Sequence, residues 1–342
     1  MNRARSNPTA EGEWLASSGN PDIQDSIKYF GVDLPKLRAE FASYPPRGPA
    51  AFDRRLYEAA SLHNEFLIAT DSQNHLGQVE RVLSSGFAFA SLQASVFSYA
   101  ASATDAHGAF NIDWGELPGE NEPDGMQKGR YHRFGLMSLP GSLPLLSSTG
   151  ISVTPERRSL TQVGPFVVTV NYATALEGLP DHHQRFVVGT VWSDANNNGR
   201  YDGGEGKGNV QVQPNLGKWH AITSASGGYA FPAENAGPLR LTFSGGQLPG
   251  AFHRSVTGGE ESILVDLNAH SADPPSLELG IRVLDNSTIL LEWSGGAPPY
   301  QVQSSSAISA TSWQNYGAPT VLTRLAVPRT TPGKFFRVLS GR

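Results

Sequence analysis

The chain has 342 residues, 39% hydrophobic and 17% charged, which gives it the apolar content to bury a core and the length for two or three domains. It carries 26 Lys and Arg against 31 Asp and Glu, a net charge of −5, so no basic excess exists to draw a phosphate backbone and nucleic acid is not an expected partner. There is no cysteine, which excludes disulfides, thiolate nucleophiles and Cys-ligated zinc or iron–sulfur sites.

The opening stretch Met1–Ser6 has two arginines and no apolar run behind it, so no signal peptide is expected there. No apolar run approaches the roughly 18 residues that span a bilayer, and no transmembrane segment is expected. With 37 Gly and 24 Pro, many turns and short strands are predicted.

Helical patterns are confined to residues before about Thr174. Pro35 to Phe41 is a candidate helix, since proline is tolerated in a first turn. The turn-rich Tyr44-Pro45-Pro46-Arg47-Gly48-Pro49 interrupts it. From Phe52 to Thr70, Phe52, Leu56, Ala59, Ala60 and Leu67 recur at the spacing of a helix with one buried face, and His63 lies on the same stripe. A shorter helix is predicted over Val79–Leu83, ended by Gly86.

Past Phe186 the pattern changes to strands. Phe186–Trp192, Val210–Val212 and Leu239–Phe243 are short β-branched or alternating runs separated by Asn/Gly clusters, as in a β-sandwich. Asp273-Pro274-Pro275 reads as a linker, because consecutive prolines cannot join a sheet interior. Ile289–Trp293, Tyr300–Gln303 and Phe335–Val338 then predict a second, smaller β module. The expected fold class is multidomain: an α/β domain followed by two antiparallel β-sandwich modules.

The sharpest chemical pattern runs from Asp194 to Glu205. Counted as a twelve-residue calcium loop, it places side-chain oxygens at positions one (Asp194), three (Asn196), five (Asn198), nine (Asp202) and twelve (Glu205). Gly199 sits at the sharp turn in position six, and Arg200 offers its carbonyl at seven. A hard cation takes six to eight oxygens, which this loop can supply. Three charged ligands without flanking helices point to the weaker affinity range of roughly 10⁻⁵ to 10⁻³ M. The competing reading is an Asn/Gly-rich hairpin with solvated carboxylates.

Those residues also carry a resemblance. Val188 through Gly206, followed by Thr223–Phe231, resembles the calcium-binding B-type repeats of bacterial surface adhesins and the carboxypeptidase-regulatory-like β-sandwiches, over about residues 184–270. Such modules are stiff spacers or binding domains. Upstream, residues 30–178 resemble a divergent bacterial CAP (SCP-like) domain. The stretches that carry the likeness are Leu56–His63, Phe97–Ala100, His107–Gly115, Gly125–Gln127 with Tyr131-His132-Arg133, and Gln162–Thr169.

CAP domains are α-β-α sandwiches with a cavity usually lined by two histidines and one or two glutamates, and metal, lipid and peptide binding have all been proposed for them. Here Gln93-Ala94-Ser95 stands where the family has Gly-Glu-Asn, so Ala94 replaces the cavity glutamate. His132 matches the family's Gly-His-Arg histidine, His75 is a substitute for the other, and His107 is a further cavity candidate. The resemblance implies a degenerate, non-catalytic domain. Residues 276–342, with Ser312-Trp313-Gln314 and Lys334–Val338, resemble fibronectin-III-like modules of exported bacterial proteins.

The remaining polar features read as structural. His63 is expected as a packed core histidine, and His107 as a loop residue. His182-His183 is expected in a solvated linker, with adventitious zinc or nickel as the other reading. Glu116, Glu120, Glu122 and Asp124 match no ligand template and read as a solvated acidic face. No Gly-x-Ser-x-Gly elbow is present.

Two functions follow. One is a non-catalytic exported binding protein, a degenerate CAP head on a calcium-stabilised β stalk, whose ligand is an extracellular lipid, glycan or protein. The other is a calcium-dependent hydrolase or lipid-binding protein that uses the cavity around His132. Exported relatives and a weak calcium loop place the expectation outside the cytoplasm.

Overall fold

In the computed structural model the described residues are 1–115, 123–139, 145–158, 160–234, 236–269, 277–295, 299–307, 313–329 and 333–339. Glu116, Glu120 and Glu122, the Asp273–Pro275 linker and Ser312 lie outside them. The protein is multidomain and β-rich. It divides into two compact units, one formed by Met1–Val188 with Ala230–Ala236 and Gly258–Leu264, the other by Gly189–Tyr229, Gly237–Thr257 and Val265–Arg342.

The first unit opens with α1 (Asn2–Ser6), α2 (Pro8–Ala16), α3 (Pro21–Phe30) and α4 (Leu34–Ser43). The last contains the helix expected from Pro35; no element before it is predicted above. Their starts share one chemistry. The side chains of Asn7, Asn20 and Asp33 accept the backbone N–H of Ala10, Ile23 and Lys36, and a proline follows in each first turn. After β1 (Ala51–Phe52) come α5 (Arg54–Thr70), α6 (Gln78–Ser84), β2 (Phe89–Ala100), α7 (Ala103–Ile112), α8 (Tyr131–Met137), β3 (Ser148–Pro155) and β4 (Phe166–Ala175).

These strands form one sheet in the order β1-β3-β4-β2, with β1 parallel to β3 and the other pairs antiparallel. β4 is buried almost throughout, so both sides of the sheet must be covered. Its alternation sends Val168, Val170 and Tyr172 into a core with Leu15, Ile23, Phe41, Phe110 and Leu136 from the helices of one side. Ala173 and Ala175 pack on the other side against Leu56, Ala59 and Val82 of α5 and α6. Val167 joins Leu67 and Val96 there. Gly150 permits the close crossing of β3 and α5, because a Cβ there would meet the Leu56 carbonyl carbon and the Tyr57 nitrogen at 2.1 Å.

The later strands are β5 (Phe186–Trp192), β6 (Val210–Pro214), β7 (Ala221–Ile222), β8 (Gly228–Pro232), β9 (Gly237–Gly245), β10 (Phe252–Gly258), β11 (Ile263–Leu264) and β12 (Leu267–Asn268). They pair as β10-β9-β6-β7 and β11-β5-β12, with β8 also on β5; β11 and β12 run parallel to β5, so these strands are not wholly antiparallel as expected. Within the second unit Val191, Val210, Val212, Leu241, Phe243 and Phe252 are buried, and the rings of Tyr229 and Phe243 meet edge-on at 5.9 Å.

The chain ends with β13 (Glu278–Val283), β14 (Thr288–Ser294), β15 (Gln301–Ser305), β16 (Gln314–Asn315), β17 (Arg324–Pro328) and β18 (Phe335–Leu339). Two three-stranded sheets, β13-β14-β17 and β16-β15-β18, close on a shared core of Leu291, Trp293, Tyr300, Val302, Val327 and Val338. This is a small β-sandwich, as the alternating runs predict.

Candidate functional site

The Asp194–Glu205 loop connects β5 to β6, and its ends are tied together. Ser193 N–H donates to the Glu205 carbonyl at 3.0 Å, and Trp192 bridges Gly206. The two terminal carboxylates are buried, Asp194 at 6% and Glu205 at 8% exposure, although both belong to a surface loop. Asp194 accepts the N–H of Asn198 at 3.0 Å on one oxygen and that of Gly199 at 2.8 Å on the other. Asn196 accepts Asn198 N–H at 3.1 Å, and Asn198 accepts Arg200 N–H at 2.8 Å.

Asp194, Asn196 and Asn198, at positions one, three and five, therefore each wind the following backbone around a side-chain oxygen. Gly199 turns with φ +73°, the conformation its position requires. Glu205 closes the ring, accepting Ala195 N–H at 2.9 Å and Asp202 N–H at 2.8 Å. Asp202 receives the amide groups of Asn196 and Asn198 at 2.8 and 2.6 Å, which hold its carboxyl below the usual range. All five side chains predicted as ligands thus belong to one hydrogen-bonded ring. Among the described residues no three His, Cys, Asp or Glu side chains converge as a metal site by themselves, so a cation here would also need the Asn and main-chain oxygens.

The candidate cavity histidines of the first unit take separate partners. His132, at the start of α8, meets Asp113 through Nδ1 at 2.7 Å, and its backbone N–H donates to the same carboxylate at 3.0 Å. Asp113 is fully buried in the left-handed conformation, φ +60°, at the end of α7. In the neutral imidazole this pairing fixes the proton on Nδ1 and leaves Nε2 as the lone-pair nitrogen. His107 lies on α7, not in the expected loop, because Ser102 caps a helix through the Asp105 N–H. Its Nε2 lies 2.7 Å from a buried Glu11 oxygen.

His75 pairs with Gln78 at 2.7 Å, and Ala94 lies in mid-strand opposite Asn171. His63 is buried as expected, 3.0 Å from the Asn74 carbonyl, and burial pushes its pKa down to about 4. The His182 segment is tied down and is not a solvated linker. His182 accepts the Ala88 N–H at 3.0 Å and lies 2.8 Å from the Pro180 carbonyl. Asp124 binds Lys36 and, at 2.7 Å, Arg130. Burial works against its charge and the two cations outweigh that, keeping the carboxyl below its ordinary range. Glu11 and Asp113, the partners of the two candidate cavity histidines, have no sequence signature, since they lie 96 and 19 positions from them.

No family model matches the chain, and no curated protein matches it. Several solved structures show weak likeness, among them these three. One is described as a "putative carbohydrate binding protein" from Bacteroides uniformis, with 10% identity, covering 46% of this chain and 80% of that one, at a TM-score of 0.20. A DUF3823 family protein from Bacteroides ovatus has 11% identity over 45% of this chain and 88% of its own, at 0.17. Another from Parabacteroides merdae has 13% identity over 46% and 81%, at 0.17. Likeness at this level carries neither fold nor function to this chain. No helix among the described residues is long and apolar enough to cross a membrane.

Proposed function

We propose that the chain is a non-catalytic, exported binding protein. Along the chain it would consist of a degenerate CAP-like head over 30–178, a calcium-stiffened B-type β-sandwich over 184–270 and a fibronectin-III-like module over 276–342. One observation carries the reading: Asp194 and Glu205, eleven positions apart on a surface loop, are both buried at its neck and organise it with Asn196, Asn198 and Asp202. A loop pre-wound around its own oxygens loses little further entropy when a cation replaces those N–H groups. An affinity in the 10⁻⁵ to 10⁻³ M range suits millimolar calcium, which supports an extracytoplasmic setting.

The test is thermal unfolding of the full chain with about 1 mM calcium, with magnesium and with chelator. A site of roughly 10⁻⁵ M affinity would add on the order of 2.7 kcal/mol to the unit that holds it. Its midpoint should then rise by several degrees with calcium and little with magnesium. A midpoint indifferent to calcium sinks the reading and leaves a polar hairpin.

The Asp113–His132 pair favours a second reading, a hydrolase or lipid-binding protein working at His132 Nε2. Screening the chain against ester, peptide and lipid substrates decides it. An activity that His132→Ala abolishes would replace the first reading.

A further inference from the structure

The outer face of the sheet β16-β15-β18 has no role in the proposal above. In β15, Val302 and Ser304 turn into the sandwich, so Gln301, Gln303 and Ser305 point outward. In β18, Phe335 and Arg337 point the same way. The register sets Gln303 between Asn315 on one side and Arg337 on the other. Gln303 Nε2 donates to Asn315 Oδ1 at 2.8 Å, and Arg337 Nε donates to Gln303 Oε1 at 2.9 Å.

Asn315, Gln303 and Arg337 thus form one hydrogen-bonded row of planar groups across three strands. In the next row, Ser305 lies opposite Phe335. Trp313, two residues before Asn315, brings its ring centroid 4.6 Å from the Arg337 guanidinium carbon. The terminal nitrogens of Arg337 make no hydrogen bond to any described residue. Arg337 is the one charged side chain on β15, β16 and β18, and no Asp or Glu lies on them.

We infer that this face is a binding platform for an acidic polysaccharide, a chain of pyranose rings bearing carboxylate groups. A pyranose presents a C–H face that packs on the indole and phenyl rings, with Ser305 leaving room between them. Its hydroxyls suit planar amides. Its carboxylate suits the two terminal nitrogens of Arg337, which can bind two oxygens at once. Because the row is already held by its own hydrogen bonds, little side-chain entropy is lost on binding. The single charge of Arg337 favours a sugar that bears a carboxylate over a neutral one. A nucleic acid fits less well, since tracking a phosphate backbone takes several aligned cations and this row presents one.

Affinity electrophoresis of the full chain tests the inference, with chelator present so that calcium plays no part. The gels hold polygalacturonate, neutral dextran, or polyacrylate as a carboxylated polymer without sugar rings. Polygalacturonate should retard the chain, and dextran should not. Polyacrylate at equal charge should act roughly tenfold more weakly. Trp313→Ala and Arg337→Gln should each weaken retardation about tenfold, with the melting transition checked for both.

If Trp313→Ala fails to fold, Arg337→Gln alone decides. Retardation should persist in chelator, which separates this platform from the calcium loop. Absence of retardation by polygalacturonate overturns the inference. So does equal retardation by polyacrylate, tighter binding of single-stranded DNA, or wild-type binding by Arg337→Gln.

Discussion

His107 on α7 and Glu11 on α2, 96 positions apart, meet through Nε2 and Oε1 at 2.7 Å, with the Glu11 side chain out of contact with solvent. Arg3 grips the same carboxylate through two nitrogens at 2.6 and 2.9 Å. Burial lowers the His107 pKa and outweighs the attraction of Glu11, so the imidazole is neutral at pH 7 and donates to a carboxylate. For Glu11, burial opposes ionisation, but the bonds from His107 and Arg3 prevail and keep its carboxyl below the ordinary range.

This arrangement, with His63, makes the first unit sensitive to acid. A histidine held neutral by the fold binds its proton only below about 4 in the case of His63, while the unfolded chain binds it from 6.5 downward. The unfolded state therefore carries more protons in that window, and stability is lost as pH falls through it. For His63 the loss is on the order of 2 kcal/mol between about pH 6.5 and pH 5. Glu11 adds its own loss at lower pH, where its carboxyl must be protonated. Urea unfolding at pH 7 and pH 5 should show the fall, and His63→Gln should reduce it, with His107 supplying the remainder. A stability unchanged between those pH values would contradict the neutral assignment.

Arg133 should be among the costliest residues to replace. Its buried guanidinium on α8 donates to the Asn111 and Ile112 carbonyls at the end of α7, and pairs with Glu40 of α4. It also lies 4.9 Å from the centroid of Phe41. Arg133→Met leaves Glu40 and two carbonyls without this partner, an expected cost of about 3 to 5 kcal/mol. Denaturant titration measures it, and a loss below about 1 kcal/mol would mean that Glu40 readily finds water.

Glu205→Gln separates the structural and the metal roles of the loop. The carboxylate accepts two backbone N–H groups, and an amide can accept only one of them, so the variant should lose about 1 to 3 kcal/mol even in chelator. The calcium-dependent rise in midpoint should vanish as well. A variant that keeps that rise would place the cation elsewhere.

Much of this protein is legible in local sequence. The α5 helix follows from the stripe Leu56, Ala59, Ala60 and Leu67, although Phe52 lies exposed in β1 and not on it. The strands β5, β6, β9, β14, β15 and β18 follow from short β-branched or alternating runs, and the Asp194–Glu205 turn from its Asn, Asp and Gly spacing. These are the outcomes of periodicity and turn chemistry, which act over a dozen residues or fewer. The caps Asn7-Pro8 and Asn20-Pro21 were equally local signals for α2 and α3.

The sequence by itself could not decide which partner each buried charge would take. His107 met Glu11, His132 met Asp113, and Arg133 met Glu40, because packing α2, α4, α7 and α8 on one face of the β4 sheet brought those side chains together where water could no longer serve them. The row Asn315, Gln303 and Arg337 has the same origin, since strand register alone placed three distant residues side by side. Local chemistry chose the elements. The need to cover both faces of a buried sheet, and to satisfy each polar group trapped in doing so, chose their neighbours.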